Sequence, residues 1–122
     1  MNARILTRDI IAATAARCRV SVDDLKGTKT ERRVSRPRQI AMLAARTLTG
    51  ESFPKVGRAF NRDHTTVWHA IRALEKKPPH PFAIYEIRIA AGAIAAERQV
   101  RDLLNVREFH RNGKPVEERV AA

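Results

Sequence analysis

From Asp63 onward the apolar residues Val67, Ala70, Ile71 and Leu74 recur at i, i+3, i+4 and i+7, the period of one buried face on an α-helix. The same period returns in the other segments set off by Pro and Gly, and no strand-like alternation competes with it. An all-α fold is therefore expected. Thr7 is placed to cap a first helix from about Arg8 to Arg17, with Ile11, Ala15 and Cys18 as its buried stripe. Ser21 caps a short turn, Val22 to Lys26, that gives Val22 and Leu25 to the core. From Gly27 to Ser35 the period is lost, and the segment reads as an exposed basic loop with Lys29, Arg32 and Arg33. Ser35 and Pro37 then start a helix with Ile40, Leu43, Ala44, Thr47 and Leu48 on its core side. Arg38, Gln39, Met42 and Arg46 lie on its other, basic side, and Gly50 ends it.

A short helix from about Ser52 to Phe60, a tight turn through Asn61 and Arg62, and a longer helix from Asp63 to about Lys77 form a helix-turn-helix candidate. Pro78, Pro79 and Pro81 close a domain of about five helices spanning residues 1–78, because a proline run cannot continue a helix. An amphipathic C-terminal helix follows over residues 82–105. It carries one stripe of Ile84, Ile87, Ala91 and Ile94 and another of Ile89, Ala93, Ala96, Val100 and Leu103. The second stripe, with its 4-3-4-3 spacing, is either buried on the same chain or makes a contact with a second copy or another protein through residues 84–104. Residues 106–122 read as a flexible tail of mixed charge.

Net charge is +11, from 24 Lys and Arg against 13 Asp and Glu, which suits a partner rich in phosphate. Its distribution narrows the partner further. Residues 26–46 carry seven basic residues and one acidic, residues 55–77 carry six against two, and residues 82–122 are nearly balanced at seven against six. The phosphate-facing surface is thus expected on the helix-turn-helix and the basic loop. The single cysteine, Cys18, has no internal disulfide partner, and no apolar run reaches the ~20 residues of a membrane span. A cytoplasmic, nucleoid-associated setting without a membrane follows as the expectation. His64 and His69 lie about 140° apart around a helix, and His80 and His110 are remote, so no metal set emerges. Ser21, Ser35 and Ser52 are explained as caps, and no nucleophile with an adjacent base emerges. The chain reads as a binding protein with no cofactor, not an enzyme.

The helix after Asp63 turns His64, Thr65, Trp68, His69 and Arg72 away from its apolar stripe. Imidazole and hydroxyl groups can bond to base edges, the Thr65 methyl can touch a thymine methyl, and the cationic groups further along suit phosphates. Asp63 fits the N-cap, and the positive end of the helix dipole there favours approach to a polyanion.

Arg36-Pro-Arg-Gln-Ile-Ala-Met42, followed by Phe60-Asn-Arg-Asp-His-Thr-Thr-Val67 and His69-Ala70, resembles the C-terminal DNA-binding domain of the bacterial replication initiator DnaA. The similarity runs from about Ile5 to Lys77, with support from Val20-Ser-Val-Asp-Asp-Leu25, Leu48-Thr49 and Phe53-Pro-Lys-Val-Gly57. The resemblance implies that Asp63, His64 and Thr65 read bases in the major groove, with Pro54 near a thymine methyl. It also implies that Arg38, Gln39, Arg46, Thr66 and His69 hold the phosphate backbone, as Arg62 and Arg72 are expected to do beside them. The loop with Lys29, Arg32 and Arg33 would enter the minor groove.

The turn before Asp63 is one residue shorter than the Gly-Gly-Arg usual in the family. Thr30 stands where the family inserts its minor-groove arginine, and Trp68 stands at a usually aliphatic position, facing either a helix seam or DNA. The initiator's glycine-rich phosphate loop ending in Gly-Lys-Ser/Thr does not occur in these residues. The expectation is sequence-specific binding of double-stranded DNA at DnaA-box-like sites, regulating transcription or replication initiation without ATPase activity, by a stand-alone reader or a fragment of something longer. The rival is a non-sequence-specific DNA-binding adaptor that uses its C-terminal helix to recruit or compete with a partner.

Overall fold

Ile10, Leu25, Met42, Val56, Val67 and Ile87 come from six different helices, and each is at most 1% exposed. They meet, with Phe60, in one core, and each such side chain contributes about 1.5–3 kcal/mol by leaving water. In the computed structural model, which describes the backbone of residues 3–112 and the side chains of residues 3–105, the elements are α1 (Thr7–Cys18), α2 (Val22–Lys26), α3 (Arg32–Thr49), α4 (Phe53–Ala59), α5 (His64–Lys76) and α6 (Ala83–Asn112). No strand occurs among the described residues. The all-α expectation stands.

Several boundaries moved, each for a local reason. Thr7 does not cap α1. It is buried, and its hydroxyl donates to Glu51 at 2.8 Å, while Asp9 Oδ2 accepts from the Leu6 amide at 2.8 Å and so closes the first turn. Ser21 does cap α2, accepting from the Asp24 amide at 2.9 Å, but Val22 is 40% exposed and only Leu25 reaches the core.

Helix α3 begins at Arg32, three residues before Ser35, because the Glu31 carbonyl already accepts from the Val34 and Ser35 amides at 2.9 and 2.7 Å. Pro37 therefore lies inside the helix, and Arg32 and Arg33 belong to its first turn instead of the loop. Met42, expected on the basic side, is buried, and Thr47, expected in the core, is exposed. The face turned inward includes Val34, Ile40, Ala41, Met42, Ala44 and Ala45, where the three alanines let neighbouring helices approach closely, and α3 packs against both α1 and α5.

Helix α6 packs mainly on α1. Ala83, Ile87, Ala91 and Ala95 are buried, with Ile84 and Ile94 partly so, close to the first expected stripe. Two ion pairs pin it: Arg98 donates to the buried Asp9 at 2.9 Å, and Arg17 to Glu86 at 2.8 Å. The second stripe faces outward, with Ile89, Val100 and Leu103 exposed by half or more. The helix continues past Asn105 to Asn112, and the rest of the expected tail lies outside the described residues. Cys18 is half-buried, and burial pushes its thiol up against the opposing pull of Arg17, which lowers its nucleophilicity at neutral pH.

Candidate nucleic-acid interface

The turn between α4 and α5 is built by three backbone bonds. The Phe60 and Arg62 amides both donate to the Gly57 carbonyl, at 3.0 and 2.8 Å, and the Asn61 amide donates to Arg58 at 3.2 Å. Asn61 takes a left-handed conformation with φ 58°, which its short polar side chain tolerates better than most. It thereby supplies the sharp reversal without a glycine in the turn. Gly57 makes the approach possible: a Cβ there would lie 2.5 Å from the Arg62 carbonyl oxygen and 3.1 Å from the Asp63 carbonyl.

Asp63 is the N-cap of α5, its Oδ1 accepting from the Thr66 amide at 3.0 Å and the Thr66 hydroxyl at 3.3 Å. These bonds, the backbone one foremost, hold its carboxyl below the usual carboxylate range. Val67, Ala70 and Leu74 face inward, with Ile71 half-buried, and His64, Thr65, Thr66, Trp68, His69 and Arg72 are all exposed. Trp68 does not enter a helix seam. It is 45% exposed, with the Arg72 guanidinium 5.2 Å from its ring centroid and the His69 ring edge-on at 5.1 Å. Pro54 is exposed in the first turn of α4, beyond the Ser52 cap.

The arginines expected on phosphates divide into two kinds. Arg38 is only 6% exposed and spends its donors on backbone carbonyls: Nε on Leu25 at 2.9 Å, Nη1 on Lys29 at 2.9 Å and Nη2 on Asp24 at 2.7 Å. Burial first, and then the neighbouring Arg62 charge, pull it below its ordinary value, against the pull of Asp24. Arg62 donates to the Phe60 carbonyl at 2.9 Å and to the Gly27 carbonyl, and Asn61 Nδ2 donates to the Lys26 carbonyl at 3.3 Å. Two arginines and an asparagine thus strap the basic loop to α3 and to the helix-turn-helix turn. Lys29 pairs with Asp24 at 3.0 Å while staying half exposed. Arg46 donates to the Glu51 carbonyl at 2.6 Å and lies 4.5 Å over the Phe53 ring, joining the end of α3 to the start of α4. Arg33 sits 3.8 Å from Glu31, and Arg72 3.5 Å from Glu75.

Between α3 and α5 runs a cleft of about 250 Å³ lined by Ser35, Arg38, Gln39, Arg62, Thr66 and His69, among others. It brings together five residues expected on the DNA backbone. A second cleft of about 330 Å³, lined by Arg32, Ser35, Arg36, Gln39, Ala73, Lys76 and Lys77, shares Ser35 and Gln39 with the first. Among the described residues no carboxylate lines either cleft. Arg36, Lys76 and Lys77 lie outside the contact set expected from the sequence, and Arg32 shares a face with Arg36 only because α3 starts at Arg32, before the Ser35 expected to open it.

Residues 7–74, which span α1 to most of α5, match the family model described as the bacterial dnaA protein helix-turn-helix. The chain belongs to this DnaA helix-turn-helix family. Its relatives include the chromosomal replication initiator protein DnaA of Francisella tularensis subsp. novicida, 52% identical over 59 residues, covering 48% of this chain and 12% of that protein. The DnaA of Neisseria meningitidis serogroup C is 45% identical over 75 residues, covering 60% of this chain and 14% of that protein. The chain therefore spans only about an eighth of these DnaA proteins. A crystal structure of a DNA replication initiation factor superposes with a TM-score of 0.63 at 33% identity, over 73% of this chain and 29% of the other. All of α6 lies beyond the span matched by the DnaA family model.

Proposed function

We propose that the chain binds double-stranded DNA sequence-selectively at DnaA-box-like sites and acts by occupancy, controlling transcription or replication initiation without ATP hydrolysis. The observation that carries this reading is the outward face of α5, where His64 and Thr65 stand exposed one step beyond the Asp63 cap. Base-edge donors and acceptors at the N-terminus of the second helix of a helix-turn-helix are what major-groove readout requires. Gln39, Thr66 and His69 along the α3–α5 cleft take the flanking phosphates, and the strapped loop with Lys29 reaches toward the adjacent minor groove. The test is a titration with duplexes carrying the initiator-type box TTATCCACA or its scramble, with Trp68 as reporter, at low and near-physiological salt. Preference for the box by at least about tenfold at the higher salt supports the reading. Equal binding that fades together as salt rises leaves only the electrostatic component.

The exposed outer stripe of α6 favours a second role, a helix–helix contact outside the domain through Ile89, Val100 and Leu103. Sedimentation of the wild type against Ile89→Glu/Val100→Glu tests it. A shared monomeric mass would remove self-association from the reading.

A further inference from the structure

Four cations converge on the far end of the α3–α5 groove with no ion-pair partner among the described residues. Arg32 and Arg36 come from the first two turns of α3, Lys76 and Lys77 from the end of α5, and the cleft they share with Ser35 and Gln39 continues directly from the one holding Thr66 and His69. None of the four is in an ion pair among the described residues, whereas neighbouring Arg33 and Arg72 each have a carboxylate within 4 Å. The helix dipole accounts for lysines at the C-terminus of α5 but not for Arg32 in the first turn of α3, where positive charge is unfavourable. An external polyanion offsets that cost.

We infer that Arg32, Arg36, Lys76 and Lys77 form a second phosphate site that extends the DNA footprint along one strand. The inference rests on the reading of α5 as the major-groove helix. With α5 in the major groove and the basic loop toward the minor groove, the structure between them faces the sugar–phosphate ridge that separates the two grooves, and the α3–α5 groove lies there. From Thr66 to Lys76 it follows about 15 Å of helix, room for several consecutive phosphates of a single strand. Arg32 thus leaves the minor-groove set and joins the ridge. Guanidinium groups suit bidentate phosphate contacts, and the two lysines supply mobile point charges.

The test is the salt dependence of binding to one duplex that extends a full helical turn beyond the box on either side. Each phosphate neutralised contributes about 0.9 to the slope of log K against log salt. The Arg36→Gln/Lys76→Gln/Lys77→Gln variant is expected to lower that slope by about 2.7 units while keeping the box-to-scramble ratio. Lys76→Gln/Lys77→Gln, altered only at exposed positions at the end of α5, is expected to lower it by about 1.8 units and guards against misfolding at Arg36. Arg88→Gln/Arg101→Gln on α6 removes the same net charge as that double variant and is expected to leave the slope unchanged. An unchanged slope in the groove variants, or an equal fall in the α6 control, overturns the site. So does a collapse of the box-to-scramble ratio, which would make the groove a reader of sequence. Loss of poly-glutamate binding with DNA binding intact would assign the groove to an acidic protein instead. If the wild type itself shows no preference among duplexes, the reading of α5 fails, and the slopes still decide the groove.

Discussion

Gly57→Ala sets two physical effects against each other with opposite signs. Inside a helix, alanine is favoured over glycine by about 1 kcal/mol because it loses less backbone freedom on folding. Gly57 lies within α4 with no positive φ, so helix propensity alone makes the variant more stable. The turn reverses the sign. The added methyl would lie 2.5 Å from the Arg62 carbonyl oxygen and 3.1 Å from two Asp63 backbone atoms, and backbone of a hydrogen-bonded turn cannot swing aside as a side chain can. Relief requires α4 to move away from the turn, stretching the Arg62 amide to Gly57 carbonyl bond of 2.8 Å. Overpacking of this kind costs about 1–3 kcal/mol, and stretching the bond adds about 1 kcal/mol more. After the propensity gain the net loss is about 2 kcal/mol, a fall in Tm on the order of 5–10 °C for a domain of this size. Gly92→Ala on α6 is the internal control. Its nearest neighbour is Ile5 Cδ1 at 4.0 Å, so the same substitution there is expected to stabilise by about 0.5–1 kcal/mol. Urea melts of both variants read the two signs. A Gly57→Ala protein at least as stable as the wild type would refute the close-approach argument and, with it, the geometry assigned to the turn.

Arg38→Ala is expected to cost about 3 kcal/mol of stability, since one buried and two partly buried carbonyls lose their charged donor together; a melt within 1 kcal/mol of wild type would return Arg38 to the role of a simple phosphate contact. His64→Ala and Thr65→Ala are each expected to lose about 1–3 kcal/mol on the preferred duplex and little on its scramble, and equal losses on both would sink their assignment as base readers. Asp63 has its carboxyl held low by the Thr66 amide, so its contribution to stability is full above the ordinary carboxylate range near pH 4 and is lost as pH falls through the lower folded-state value. Asp63→Asn keeps the cap and removes the titration, so the difference between the two stability–pH curves should appear only on the acid side; parallel curves throughout would contradict the cap's charge dependence.

What the sequence made legible was local. The caps at Ser21, Ser52 and Asp63 depend on residues within one turn, and the Val67–Leu74 stripe depends on period alone, so both could be read without a structure. The side of a cation could not be. Arg38 and Gln39 are adjacent in a basic run, yet Arg38 turns under the loop to carbonyls 9 to 14 residues away while Gln39 lines the open groove. A backbone carbonyl leaves no mark in the sequence, because every residue has one, so a structural arginine and a phosphate-binding one look alike until the chain is folded. The start of α3 was hidden similarly: Pro37 and Ser35 carry strong helix-start signals, but Val34 has to be buried, and burying it extends the helix back to Arg32. That extension places Arg32 one turn from Arg36, across from Lys76 and Lys77. The shift of a helix start by three residues thus turns a loop cation into one wall of a groove. The proposed footprint on DNA depends on packing at Val34 as much as on the charges themselves.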